Sequence, residues 1–96
     1  MSRGKILVVE DERDIREGLC ELLVRDGYDV AACGSVQEAE RSIAGGGADL
    51  YLLDVMLPDG SGFGLCEHIR DELGSNVPII FLTALDDEDS VVKGLE

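Results

Sequence analysis

Apolar residues along this chain alternate between two patterns. Short unbroken runs recur, and between them apolar positions are spaced three and four apart. Lys5–Val9 is an unbroken run, the mark of a strand covered on both faces. Ile15, Leu19, Leu22 and Leu23 then fall at i, i+4, i+7 and i+8, one stripe of a helix. Asp26-Gly27 closes that helix, with glycine where a positive φ is favoured. Tyr28–Cys33 predicts a second strand, less apolar than the first and so placed at an edge. Ser35-Val36-Gln37-Glu38 matches the capping box that satisfies free N–H groups at a helix start. Val36, Ala39 and Ile43 give this second helix its buried face, and Gly45-Gly46-Gly47 ends it. The glycine run follows a helix and precedes a strand, which is the wrong context for a phosphate-binding loop.

Asp49–Leu53 predicts the third strand. Val55–Gly62, with Pro58, Gly60 and Gly62, is a loop. A helix over about Phe63–Leu73 turns Phe63, Cys66, Ile69 and Leu73 inward. Val77–Leu82 is the fourth strand, and a last helix begins at Asp86 with Val91, Val92 and Leu95 as its apolar positions. The order βαβαβαβα with short connections predicts an α/β fold, a doubly wound parallel sheet with right-handed crossovers and helices on both faces.

Composition narrows the class. With 96 residues, 45% of them apolar, residues 1–96 make one folded domain with a modest core. Eight basic against 21 acidic residues give a net charge of −13. Such a surface repels phosphate backbones, so direct nucleic-acid binding and association with anionic membranes are not expected. It suits a basic partner surface or divalent cations. Cys20, Cys33 and Cys66 form no CxxC pair and read as reduced core-type thiols. No apolar run approaches the length of a membrane span, and because Met1-Ser2-Arg3-Gly4 leads straight into a strand, a signal peptide is not expected. The expected location is cytoplasmic.

The chemistry collects at the strand ends. The first strand runs into Glu10-Asp11, the third into Asp54 and the fourth into Thr83-Ala84. In a parallel sheet these ends share one edge, where open α/β sheets bind ligands. Crowded carboxylates repel one another unless a cation lies among them. Hard oxygen donors without a His or Cys pair suit Mg²⁺. Asp54 can act as a nucleophile towards phosphorus, with the Thr83 hydroxyl and the Ala84 N–H donating to phosphoryl oxygens. Each residue also has a plainer reading. Glu10 and Asp11 could favour the start of the first helix through its dipole, Asp54 could be a turn residue before Pro58, and Thr83 could be structural. Four such placements at one edge argue for a shared site. His68, without a second histidine, is expected to be an exposed polar residue, and Asp86-Asp87-Glu88-Asp89 a solvated helix start.

Three segments then carry a resemblance. Ile6-Leu7-Val8-Val9-Glu10-Asp11-Glu12, Leu53-Asp54-Val55-Met56-Leu57-Pro58-Asp59-Gly60-Ser61-Gly62 and Pro78-Ile79-Ile80-Phe81-Leu82-Thr83-Ala84 resemble, in order, the motifs of the receiver domain of two-component response regulators. The phrasing after Asp54 is most similar to receivers that precede a winged-helix DNA-binding domain. The resemblance implies a flavodoxin-like sheet and phosphorylation of Asp54. It also implies Mg²⁺ held by Asp11, Asp54 and the Met56 backbone carbonyl, with Glu10 acting through water. Thr83 and the Ala84 N–H would hold the phosphoryl group, and the donor would be a phosphohistidine of a sensor histidine kinase. An output domain, transcriptional in kind, would respond.

The family's fifth strand and fifth helix, which bring a lysine and an aromatic switch residue, have no counterpart in the 96 residues. Lys5 and Lys93 are both badly placed to substitute. The expectation is therefore a truncated receiver with strand order 2-1-3-4. Its fourth-strand edge would be bare, and it would self-associate through that edge or through the fourth helix. Three competing functions remain. An Asp-nucleophile phosphohydrolase would want a second acid where Met56 stands. A flavin-binding module would want Ser, Thr and Gly where Glu10-Asp11-Glu12 stands. A non-signalling interaction module would keep the fold alone.

Overall fold

The computed structural model describes residues 2–82 and 92–93. Five strands form one sheet: β1 (Lys5–Val9), β2 (Asp29–Cys33), β3 (Leu50–Asp54), β6 (Ile79–Leu82) and β7 (Val92–Lys93). Strands β4 (Met56–Leu57) and β5 (Gly60–Ser61) form a separate antiparallel hairpin. The sheet order is β2-β1-β3-β6-β7. The first four pair in parallel, with Val9 opposite Cys33 on one side and Leu53 on the other. Asp54 stands opposite Leu82. This is the doubly wound order expected, with β2 at an edge.

The central strand β1 is apolar because both of its faces are covered. Ile6, Leu7, Val8 and Val9 are all buried. The larger cluster joins Leu7, Val9, Tyr51, Leu53 and Phe81 to Ala39 and Ile43 of α2 (Val36–Ala44) and Leu65 of α3 (Gly62–Glu67). On the other face Ile6, Val8 and Leu52 pack with Leu19, Cys20 and Leu23 of α1 (Arg13–Arg25). Full burial of one such side chain stabilises by about 1.5–3 kcal/mol. None of α1's residues is fully buried, and Leu22, expected to face the core, is 57% exposed. The inward stripe is narrower than the spacing suggested.

Helix ends follow the sequence. At the end of α1 the Gly27 N–H donates to the Val24 carbonyl and the Tyr28 N–H to the Leu23 carbonyl. That is a Schellman closure, with Gly27 at φ +99°. Ser35 caps α2, its hydroxyl accepting from the Glu38 N–H at 3.2 Å. The reciprocal carboxylate of Glu38 accepts from the Gly34 N–H at 2.7 Å, one residue earlier than the ideal box.

Three expectations change. The Val55–Gly62 segment contains the β4–β5 hairpin instead of running as an open loop. The third helix keeps α-geometry only to Glu67, then widens into a π-helical turn over His68–Glu72. Its buried residues are Gly62, Leu65 and Ile69, while Phe63 and Leu73 are 52% and 49% exposed. Phe63 still lies against Phe81, with ring centroids 4.8 Å apart. Finally, Val92–Lys93 is strand, not helix. It pairs antiparallel with β6, Lys93 opposite Phe81 and Val92 opposite Leu82. The fourth-strand edge is therefore not bare along its whole length, because a short strand meets its free backbone groups there. The rest of the expected last helix, including Asp86–Asp89, lies outside the described residues.

Candidate functional site at the carboxyl edge of the sheet

The register fixes the site. Val9 and Leu53 are partners in the ladder, so Glu10, just past the end of β1, and Asp54, the last residue of β3, lie side by side. Glu10, Asp11 and Asp54 converge there, each offering a carboxylate oxygen within 4.8 Å of the others. Glu10 is 5% exposed and is the one buried charged residue among those described. Its backbone N–H donates to the Cys33 carbonyl, and its carboxylate accepts from the Glu12 N–H at 2.9 Å. Arg16 holds the same residue from α1, donating to the Glu10 carbonyl oxygen at 2.8 Å. Asp54 is half-buried and Asp11 exposed, so the cluster opens to solvent on the Asp11 side.

Burial pushes the Glu10 carboxyl up to about 7, opposed by the Glu12 N–H and reinforced by the neighbouring acids Asp54 and Asp11. Burial likewise raises Asp54, while a hydrogen bond with Glu10 and the Met56 N–H act against the rise. Burial thus disfavours the charged form of both acids, and a cation beside them would relieve that cost.

The donor set fits Mg²⁺. It is made of hard oxygen donors, with no imidazole or thiolate in the cluster and an open side for water ligands. Asp11 and Asp54 are the carboxylates that could hold such an ion, with the buried Glu10 beside them. The ion would screen the acids from one another and from an anionic ligand.

Two glycines and one acid shape the loop after Asp54. A Cβ on Gly62 would lie 2.2 Å from the Asp54 carbonyl oxygen, so only glycine lets α3 start this close to the site. A Cβ on Gly60 would come to 3.0 Å from Cγ2 of Val36. Asp59, in the hairpin turn just before Gly60, accepts from the N–H groups of Val36 and Gln37. Sequence reading missed both Arg16 and Asp59. Arg16 carries no signal, since its partner is a backbone atom. Asp59 sits in a Pro-Asp-Gly turn, which accounts for an Asp without any distant contact.

The other sequence-singled residues divide plainly. Met56 opens the hairpin with its side chain 77% exposed. Thr83 and Ala84 lie outside the described residues. His68 is partly covered and pairs with Glu72 at 3.2 Å, away from the acid cluster. Cys20, Cys33 and Cys66 are free thiols, Cys33 buried and the other two half-buried. Among the described residues no helix is long and apolar enough to cross a membrane.

A doubly wound parallel sheet with three acids at the carboxyl ends of neighbouring strands defines a class, and comparison with known proteins places the chain in it. The model of the response regulator receiver domain matches residues 6–96, and the chain belongs to that family. It is 44% identical over 92 residues to the phosphate regulon transcriptional regulatory protein PhoB of Pseudomonas aeruginosa, covering 95% of this chain and 40% of that protein. It is 43% identical over 91 residues to the probable transcriptional regulator ycf27 of Cyanidium caldarium, covering 95% of this chain and 36% of the relative. The chain thus spans about two fifths of the length of these relatives. Among solved structures, the non-phosphorylated HemR receiver domain of Leptospira biflexa superposes with a TM-score of 0.78 at 40% identity, over 86% of this chain and 66% of that one. The BeF3-activated receiver domain of Klebsiella pneumoniae RstA gives 0.77 at 36% identity, over 88% and 70%. The role of such a domain is regulatory.

Proposed function

We propose that Asp54 accepts a phosphoryl group, with Mg²⁺ held by Asp11, Asp54 and the Met56 backbone carbonyl and with Glu10 acting through water. The observation that carries this reading is the convergence of Glu10, Asp11 and Asp54 within 4.8 Å at the ends of adjacent strands. An Asp54 carboxylate oxygen attacks phosphorus of a phosphohistidine on a sensor histidine kinase. The new O–P bond forms as the P–N bond breaks, and the imidazole takes up a proton as it leaves. Mg²⁺ held by these residues would neutralise charge on the phosphoryl oxygens. Asp54 must be ionised to attack, so Glu10 is the better placed of the two to hold any remaining proton. Thr83 and the Ala84 N–H are proposed to receive the phosphoryl oxygens.

The phosphorylated domain then regulates an output, transcriptional by analogy with the relatives' names. The domain is a cytoplasmic phosphoacceptor and not a turnover enzyme. The test is incubation with acetyl phosphate and Mg²⁺, followed by intact mass. The parent should gain one phosphoryl group, and chelation or Asp54→Asn should abolish the gain. A variant that gains phosphate as fast as the parent would remove Asp54 from this role.

A further inference from the structure

The β4–β5 hairpin follows Asp54 directly and carries Met56, yet it is too small to hold itself. It has two residues on each side, Met56 opposite Ser61 and Leu57 opposite Gly60. Such a ribbon is marginal in water without outside support. Leu57, 8% exposed, plugs one side of it into the core. The tip needs a second anchor, and Asp59 supplies one 22 and 23 positions away in sequence. Its two carboxylate oxygens accept from the Val36 N–H at 2.7 Å and the Gln37 N–H at 3.0 Å, the first two donors of α2.

Helix α2 already has its own cap. Ser35 accepts from the Glu38 N–H, and the Ala39 N–H begins the intrahelical ladder at the Ser35 carbonyl. The Asp59 bonds complete the first four N–H groups of the helix, but their distinct effect is tertiary. They tie the hairpin turn to an element rooted in the core by Ala39 and Ile43. Two bonds to one carboxylate, aided by the positive end of the helix, fix both position and orientation. The short distance from Gly60 to Val36 keeps the turn and the helix start in contact at the same place.

We propose that Asp59 is a positioning residue for the acidic site. The two hydrogen bonds it accepts from the start of α2 hold the hairpin so that the Met56 backbone stays against Asp54. The inference rests on the Mg²⁺ reading above, and it concerns how the neutral part of that donor set is kept in place. The low position of the Asp59 carboxyl, caused by the Val36 and Gln37 N–H groups, agrees with a carboxylate held in its ionised, accepting form.

The experiment compares Asp59→Ala, Asp59→Asn and Ser35→Ala with the parent. Mg²⁺ affinity is read by titration calorimetry, and backbone order by hydrogen exchange of the Met56 and Leu57 amides in metal-free protein. Loss of support behind a metal ligand lowers affinity by about tenfold or more. Asp59→Ala should therefore weaken Mg²⁺ binding about tenfold and speed exchange at both amides. Asp59→Asn, which keeps one acceptor oxygen, should recover part of each. Ser35→Ala removes a cap from the same helix but not the tether. It should lower the melting temperature while leaving Mg²⁺ affinity and exchange at Met56 near parental values. Equal affinity and exchange in Asp59→Ala and the parent would overturn the proposal. So would Ser35→Ala matching Asp59→Ala in both, because α2's stability alone would then explain the effect. A parent without Mg²⁺ affinity would sink the metal reading, and the exchange measurement would still judge the tether.

Discussion

Val9 and Leu53 face each other in the ladder and are fully buried; the next residues along the chain are Glu10 and Asp54. One step along the register changes the core into the site. The apolar pair gains from burial and repays the ordering of its backbone. The acidic pair gains nothing from burial, which is why both carboxyls are pushed upward. The difference teaches that the ladder does two jobs with one geometry. Its rigidity comes from Ile6–Val9 and Tyr51–Leu53, and the carboxylates are held at close range because that rigidity overrides their repulsion.

The comparison breaks most visibly if the ladder is weakened. Leu53→Ala leaves a cavity beside Val9 and Phe81 and should cost about 2–5 kcal/mol. Urea unfolding should show the loss in full whether or not Mg²⁺ is present. A loss that Mg²⁺ largely restores would mean that Leu53 acts on the site and not on the core.

Acidity sharpens it from the other side. Burial pushes the Glu10 carboxyl of the folded chain up to about 7, against 4.5 for the ordinary group. Between those values the folded state keeps a proton that the unfolded chain has released. Stability of the metal-free protein should therefore be fully present below about pH 4.5 as far as Glu10 is concerned, fall as pH rises, and level off above about pH 7. Solvent at the open side of the cluster screens the group, so the swing is about 1–3 kcal/mol. Denaturation across this range, without metal and with saturating Mg²⁺, checks it. Mg²⁺ takes the proton's place and should flatten the curve. Glu10→Gln should flatten it without metal. A metal-free profile that rises with pH in this window would contradict the cause assigned to the shift.

Gly62→Ala tests the seam between the two regions. The added methyl would meet the Asp54 carbonyl oxygen, a backbone atom that cannot swing aside. Displacing α3 or β3 should cost about 1–3 kcal/mol and also weaken Mg²⁺ binding, since Asp54 moves with its carbonyl. Unfolding and titration of the same variant would show both, and a stability loss with unchanged affinity would confine the effect to packing.

How much of this was legible beforehand follows from which interactions are local. The four parallel strands, the α1 closure at Gly27 and the Ser35 cap were readable because their causes lie within a few residues. The convergence of Glu10, Asp11 and Asp54 was readable because parallel topology turns strand ends into neighbours. The π-helical turn at His68–Glu72 was not, and it shifted the buried stripe away from Leu73, because apolar spacing assumes one helical period throughout. The missing fifth strand implies a bare fourth-strand edge, whereas Val92–Lys93, inside the segment expected to be helix, pairs with β6. Asp59 carries no sequence signal of its role, because nothing in its neighbourhood shows that α2's first N–H groups end up beside it. Long-range backbone contacts of that kind leave no pattern in the residue types.

The smallest effect is the most diagnostic. Asp54→Asn keeps size and shape, removes one of the crowded charges and supplies an amide that can donate to the Glu10 carboxylate. Relief of repulsion at a functional site usually stabilises by about 1 kcal/mol. In metal-free buffer near pH 7 the variant should therefore be more stable than the parent. Mg²⁺ reverses the ranking. A ligand that binds only the folded state stabilises more the tighter it binds, and the parent, with Asp54 charged, should bind Mg²⁺ more tightly than the variant. Thermal melts at rising Mg²⁺ should show the two curves crossing. Parallel curves would mean that Asp54 contributes no affinity, and a metal-free variant less stable than the parent would mean that the carboxylate edge is not held against its own repulsion.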